Sequence, residues 1–332
     1  MLKMFKLTKT LIGMAVVVGG WALTSWVVAQ TTAPAAAPFA VYHVGNSLTG
    51  DLLTEFRTIA AAHVQETQDQ FYRWGVHFRP ATALSFIHDY PTAPQSSSVL
   101  AKNAKNYAWK QVGTPDFVPW TAALPGNHWD VVTLQPWQDD SKATLKSDTA
   151  AINDMIAQTR KRPDNAHTRF FIYGPWTVSK FNEFDSFSKA FLTPTPNTPA
   201  QLATPTRDYF RHVTAAVRQS NPQVALIPTG EVMVALDLKM RAGKFEHFTS
   251  VQQLHRDVIH LNSAGQNVTA WTAYATIFKK SPVGLSNTPH KDQDYPPFQN
   301  VMEISPADLK LIQETIWEVV TAPDLCKYTN VP

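Results

Sequence analysis

The feature that most constrains this chain is an alternation that begins at Phe39. Short apolar segments, each stopped by Pro, Gly or a polar turn, alternate with longer segments whose apolar residues recur every three to four positions. "FAVYHV", "WGVHF", "WDVVTLQPW", "TRFFIYGPW" and "QVALIPTG" read as five strands. Leu52, Phe56, Ile59, Ala60 and His63 place a helix directly after the first of them, and "DTAAINDMIAQTRK" and "RDYFRHVTAAVRQS" place others farther along. Strands separated by helices can return to the same end of a sheet, so the expected class is α/β with a mostly parallel sheet. Two late helices carry start signals. Ser263 and Gln266 match a capping box ahead of Val268, Trp271, Ala275 and Phe278, and Ser305-Pro306 with Asp308 opens another bearing Leu309, Ile312, Ile316 and Val319. "PTAPQSSS", "TPTPNTPAQLATPT" and "LSNTPHKDQDYPPF" read as excursions from one domain, because the alternation resumes after each early one and a capped helix follows the last.

The N-terminus is of a different kind. Lys3, Lys6 and Lys9 precede an apolar run from Leu11 to Ala29, and small Ala29 suits a cleavage site, so residues 1–29 read as a signal peptide. An uncleaved anchor is the other reading, since about 20 apolar residues span a bilayer. "TTAPAAAP", residues 30–37, reads as a linker, and 38–332 as the catalytic domain of a secreted or periplasmic protein without stable membrane insertion. Losing the three lysines takes the formal charge from +3 to zero, which removes any charge argument for nucleic acid. Cys326 is the single cysteine, so an exported chain of this composition must be held by its apolar core and not by disulfides.

The stretch "VYHVGNSLTGD" puts Ser47 at the carboxyl end of the first strand and at the start of a helix. In parallel α/β sheets that is where ligands sit, and a helix N-terminus favours developing negative charge. A capping serine is the plain alternative. In "HRDVIHLNSAGQ", Asp257 lies three residues before His260, a spacing that lets a carboxylate orient an imidazole whose second nitrogen serves a nucleophile.

"GNSLTG" after the first strand, with "DVIHLNSAGQ" before a late helix, resembles the first and last sequence blocks of the SGNH (GDSL-like) hydrolases. The resemblance implies a flavodoxin-like three-layer α/β/α sandwich and a serine esterase mechanism. Ser47 is then the nucleophile, His260 the general base and then acid, and Asp257 its orienter, with no metal or organic cofactor. The family's oxyanion donors map onto the amides of Ser47 and Ala81, the latter in "RPATAL", and onto a side-chain amide after "WDVVTL". Gln135, nearest the strand end, is preferred to Gln138 there. Trp137 and Trp176 close two strand ends, where flat rings suit sugars and amides such as Asn46 and Gln138 suit hydroxyls; packing at the core rim is the other reading of the two tryptophans. The expected function is an exported esterase that removes a short acyl group, acetyl foremost, from a carbohydrate. The alternatives are an O-acyltransferase with the same triad and a non-catalytic binding protein of this fold. His247, His255 and His260 lack metal-ligand spacing, Asn267 in "NVT" falls inside a predicted helix, and no Gly-rich phosphate loop is present.

Overall fold

The computed structural model describes residues 38–68, 72–92, 119–137, 144–176, 187–192, 206–287 and 302–331. All seven residues of β1 (Phe39–Gly45) are buried, as a strand covered on both faces must be. It pairs in parallel with β2 (Tyr72–Phe78) on one side and β3 (Val131–Leu134) on the other. β4 (Arg169–Tyr173) and β5 (Ala225–Ile227) extend the sheet beyond β3, also in parallel. The strand order is β2-β1-β3-β4-β5, the flavodoxin-like order, which reverses direction at β1.

The helices are α1 (Ser47–Gln68), α2 (Leu84–Asp89), α3 (Trp120–Gly126), α4 (Leu145–Arg160), α5 (Phe187–Leu192), α6 (Thr206–Arg218), α7 (Thr229–Arg241), α8 (Ser263–Phe278), α9 (Pro306–Thr321) and α10 (Cys326–Thr329). Alternate side chains of β1 feed two cores. Phe39 and Val41 pack with α1, α5, α7, α8 and α9, whereas Ala40, Tyr42 and Val44 pack with α2, α3, α4 and α6. Helices therefore cover both faces, and each fully buried Leu or Phe, such as Leu52 and Phe56, contributes about 1.5–3 kcal/mol of transfer free energy.

β3, β4 and β5 stop sooner than the segments read from sequence, whereas β1 and β2 run slightly longer than theirs. Pro136, Pro175 and Pro228 follow β3, β4 and β5 within two residues and have no N–H for the ladder. Beyond β3 the ladder gains one more bond, from Gln135 N to Val44 O at 2.9 Å. Ser305 caps α9 as its sequence indicates, accepting from Asp308 N. At α8 the cap is one residue earlier than expected: Asn262 accepts from Gly265 N, and Ser263 is already helical. Gln266 accordingly does not turn back on Ser263; its amide crosses to α1. From Ser263 to Ile277 every residue of α8 is buried, and Asn267 donates to Ser263 O within the helix. Among the described residues no helix is long and apolar enough to cross a membrane. Residues 1–37 and most of the three Pro-rich segments lie outside the described residues.

Candidate active site

Ser47 opens α1 at the point where the strand order reverses, and its surroundings come from the carboxyl ends of β1, β2 and β3. Gly45 is required by close packing: a Cβ there would lie 2.1 Å from Thr49 Oγ1 and 2.6 Å from Gln135 Oε1. Asn46 caps the helix, its Oδ1 accepting from Leu48 N at 3.0 Å. Gln135, 1% exposed, lies against this turn. Its Oε1 accepts from Asn46 N at 3.0 Å, Thr49 N at 3.1 Å and Thr49 Oγ1 at 2.6 Å, and its Nε2 donates to Asn46 Oδ1 at 2.8 Å. One of the two Nε2 hydrogens is thereby used and one is left. Asn46 is also 1% exposed, and its Nδ2 donates to Thr82 O at 3.3 Å. Its Oδ1 and one Nδ2 hydrogen are used within the protein, so Asn46 braces the turn at the position where the sequence suggested a substrate contact.

The same Asn46 bond ties the β2 exit to the Ser47 turn, as does Arg79 N donating to Gly45 O at 3.0 Å. Between them lies Ala81, exposed and with φ at 50°, in the left-handed region that favours glycine. A residue with a Cβ held there stores strain beside the proposed nucleophile.

Asp257 and His260 share a tight loop closed by an antiparallel bridge between His255 and Leu261. Asp257 Oδ1 accepts from Ile259 N at 2.8 Å and His260 N at 2.7 Å, while Oδ2 is 2.9 Å from His260 Nδ1. An ionised carboxylate only accepts, so Nδ1 carries the hydrogen and Nε2 is left for proton exchange. Partial burial pushes the Asp257 carboxyl up, but the backbone N–H groups of His260 and Ile259 and the His260 ring outweigh it and hold it below the usual range. Asp257 thus stays ionised at neutral pH.

The two sequence blocks meet through Asp51, one helical turn after Ser47. It accepts from Arg256 Nη1 at 3.0 Å, Leu261 N at 3.0 Å and Gln266 Nε2 at 3.1 Å. Among the described residues no hydrogen bond joins Ser47 to His260. Asp51, Arg256 and Thr49 escaped sequence reasoning. The available signals were an acid one turn after Ser47 and an arginine directly before Asp257.

Trp176 departs from expectation. It is fully buried, with its Nε1 donating to Ile259 O at 2.7 Å and its ring 6.2 Å from that of His255, edge to face. A ring enclosed in this way has no face for a sugar; it supports the His260 loop from beneath. Trp137 is half-buried and packs against the core on the α1, α5, α7, α8 and α9 side of the sheet. Gln138 lies outside the described residues. His255 Nδ1 bonds Val251 O and lies within electrostatic reach of His260, while His247 bonds Asp308; among the described residues no group of three or more His, Cys, Asp or Glu could hold a metal ion.

Neither a family model nor a curated protein sequence matches the chain. Among solved structures, it is similar to a candidate SGNH hydrolase from Slackia heliotrinireducens at 16% identity and TM-score 0.41, over 72% of this chain and 99% of that one. It is similar to TesA at 13% identity and TM-score 0.39, over 72% of this chain and 97% of that one. The periplasmic domain of the lipopolysaccharide acetyltransferase of Salmonella ser. Paratyphi A gives 12% identity and TM-score 0.39, over 73% of this chain and 84% of that one. Likenesses at this level do not decide a chemistry, which has to come from the residues themselves.

Proposed function

We propose that this chain is an exported serine esterase of the SGNH type that hydrolyses short acyl esters, acetyl foremost, on carbohydrate. The observation that carries the reading is the Asp257–His260 couple, bonded through Nδ1 and tied by Asp51 to the helix that Ser47 opens at the switch point of the sheet. A purely binding site has no use for an imidazole oriented by a carboxylate in this way.

In the first step Ser47 Oγ attacks the ester carbonyl and its proton passes to His260 Nε2. The oxyanion meets the amides of Ser47 and Ala81 and the remaining amide hydrogen of Gln135. The Ser47 amide is one of the helix-start N–H groups that has no partner within the helix. Collapse of the intermediate breaks the ester bond, and His260 returns its proton to the departing sugar hydroxyl. Water then attacks the acyl-enzyme with His260 taking its proton; the bond between the acyl carbon and Ser47 Oγ breaks, His260 returns the proton to Oγ, and the carboxylic acid leaves. Hydrogen bonds between nucleophile and base are often long without substrate, so the Ser47–His260 contact is expected to tighten on binding. Trp137 and Gln138 remain the sequence's candidates for contact with the sugar.

The test is release of p-nitrophenol from acetyl, butyryl and octanoyl esters by the purified chain, beside S47A and H260A. Activity highest on acetyl and lost in both variants supports the reading. Turnover equal in wild type and S47A overturns it. Product partition with added acceptor sugars separates hydrolysis from transfer, because both reactions share the acyl-enzyme.

A further inference from the structure

Catalysis by separate chain segments needs something that holds the base in register with the nucleophile. Here the Asp257–His260 loop is on the outside of the molecule, with the Asp257 side chain 47% exposed. Its anchor is the opposite kind of group. The Asp51 side chain is 2% exposed and lies four residues after Ser47, on the same face of α1.

The Asp51 carboxylate receives donors from both flanks of the couple. Oδ1 takes Arg256 Nη1 and Gln266 Nε2, and Oδ2 takes Leu261 N. Arg256 closes the loop on itself: the same Nη1 reaches Leu261 O at 2.7 Å, and its backbone N donates to His260 O at 2.9 Å. A buried carboxylate is costly unless every lone pair finds a donor, and a charged pair that is satisfied in this way fixes geometry more than it adds stability. Capping of α8 does not need Asp51, because Asn262 already performs it.

We propose that Asp51 is a positioning residue that, through Arg256, Leu261 and Gln266, holds the Asp257–His260 segment in register with the Ser47 turn; this rests on the esterase reading above. Asp51 touches no substrate and acts only through His260.

The test compares S47A, D51N, R256Q, H260A and D51N/H260A in the full chain, with kcat and KM measured on p-nitrophenyl acetate and folding followed by urea titration. D51N is expected to lower kcat about a hundredfold, the scale of a misplacement of about 1 Å, with KM changed by less than about threefold. R256Q is expected to give the same split, and it carries the test if D51N does not fold. In the H260A background, D51N is expected to cost less than about threefold further, because residues that act as one unit are not additive. A merely structural Asp51 would lower the urea midpoint and leave kcat per folded molecule alone. That result, or the same loss of kcat in both backgrounds, overturns the proposal while the esterase stands. Wild-type turnover in S47A or H260A overturns both.

Discussion

Replacing Gln135 tests the turn that presents Ser47 and separates two tasks in one side chain. Three donors converge on its Oε1, and all three lie in a region closed to solvent. In Gln135→Ala, Asn46 N and Thr49 Oγ1 lose this acceptor, whereas Thr49 N keeps Asn46 O at 3.0 Å. At about 1 kcal/mol for each of these two bonds, the deficit is about 2 kcal/mol before any void is counted. Gln135→Glu keeps an acceptor for all three donors but has no hydrogen for Asn46 Oδ1 or for an oxyanion. It should therefore unfold at a higher urea midpoint than Gln135→Ala, while its kcat falls as far, about 10²–10³-fold for one lost oxyanion donor. Urea titration by tryptophan fluorescence reads the first quantity and hydrolysis of p-nitrophenyl acetate the second. A Gln135→Ala midpoint equal to wild type would refute the bracing argument. Wild-type kcat in Gln135→Glu would refute the donor assignment, and a greater loss in Gln138→Ala would move it to Gln138.

Four other expectations follow from particular groups. Burial holds the rings of His43 and His77 neutral, His43 down to about 3 and His77 to about 4, where an exposed histidine protonates near 6.5. Below pH 6.5 the unfolded chain binds more protons than the native one, so stability is full above that pH and falls by about 1.4 kcal/mol per pH unit for each ring. His43→Gln should flatten that fall between pH 6.5 and 4 in urea titrations, and an unchanged slope would contradict the burial argument. Ala81→Gly should be as stable as wild type or up to about 1 kcal/mol better, and Ala81→Val worse by about 1–2 kcal/mol, since φ is positive there; equal midpoints for Ala and Val would be incompatible with that backbone. Trp176→Phe should lower kcat without raising KM for a sugar ester, because it removes the bond to Ile259 O and no substrate contact; a rise in KM alone would restore the sugar-facing reading. The mass of the exported form should begin at Gln30, and an intact N-terminus in the membrane fraction would favour an anchor instead.

The sequence by itself determined the layer class and the pairing of Asp257 with His260, because both rest on local order. Strand and helix periodicities are written into contiguous residues, as are the cap at Ser305 and the Asp257–His260 spacing, whose bonds span three positions. Strand ends were legible only in part, since the segments of β3, β4 and β5 continue beyond the ladder and the following proline decides where each stops. The cap of α8 shows the limit at one position: Asn262 and Ser263 are both good caps by type, and the backbone entering the helix chose between them. What only the tertiary structure decided are the partnerships across long separations. Gln135 lies 89 residues from Asn46 and Leu261 lies 210 from Asp51, and nothing in a local pattern says which amide will meet which carboxylate. The same holds for Trp176 and Asn46. An aromatic ring or an amide at a strand end suits a sugar equally well until packing closes around it, and then its polar atoms must be satisfied from within the protein.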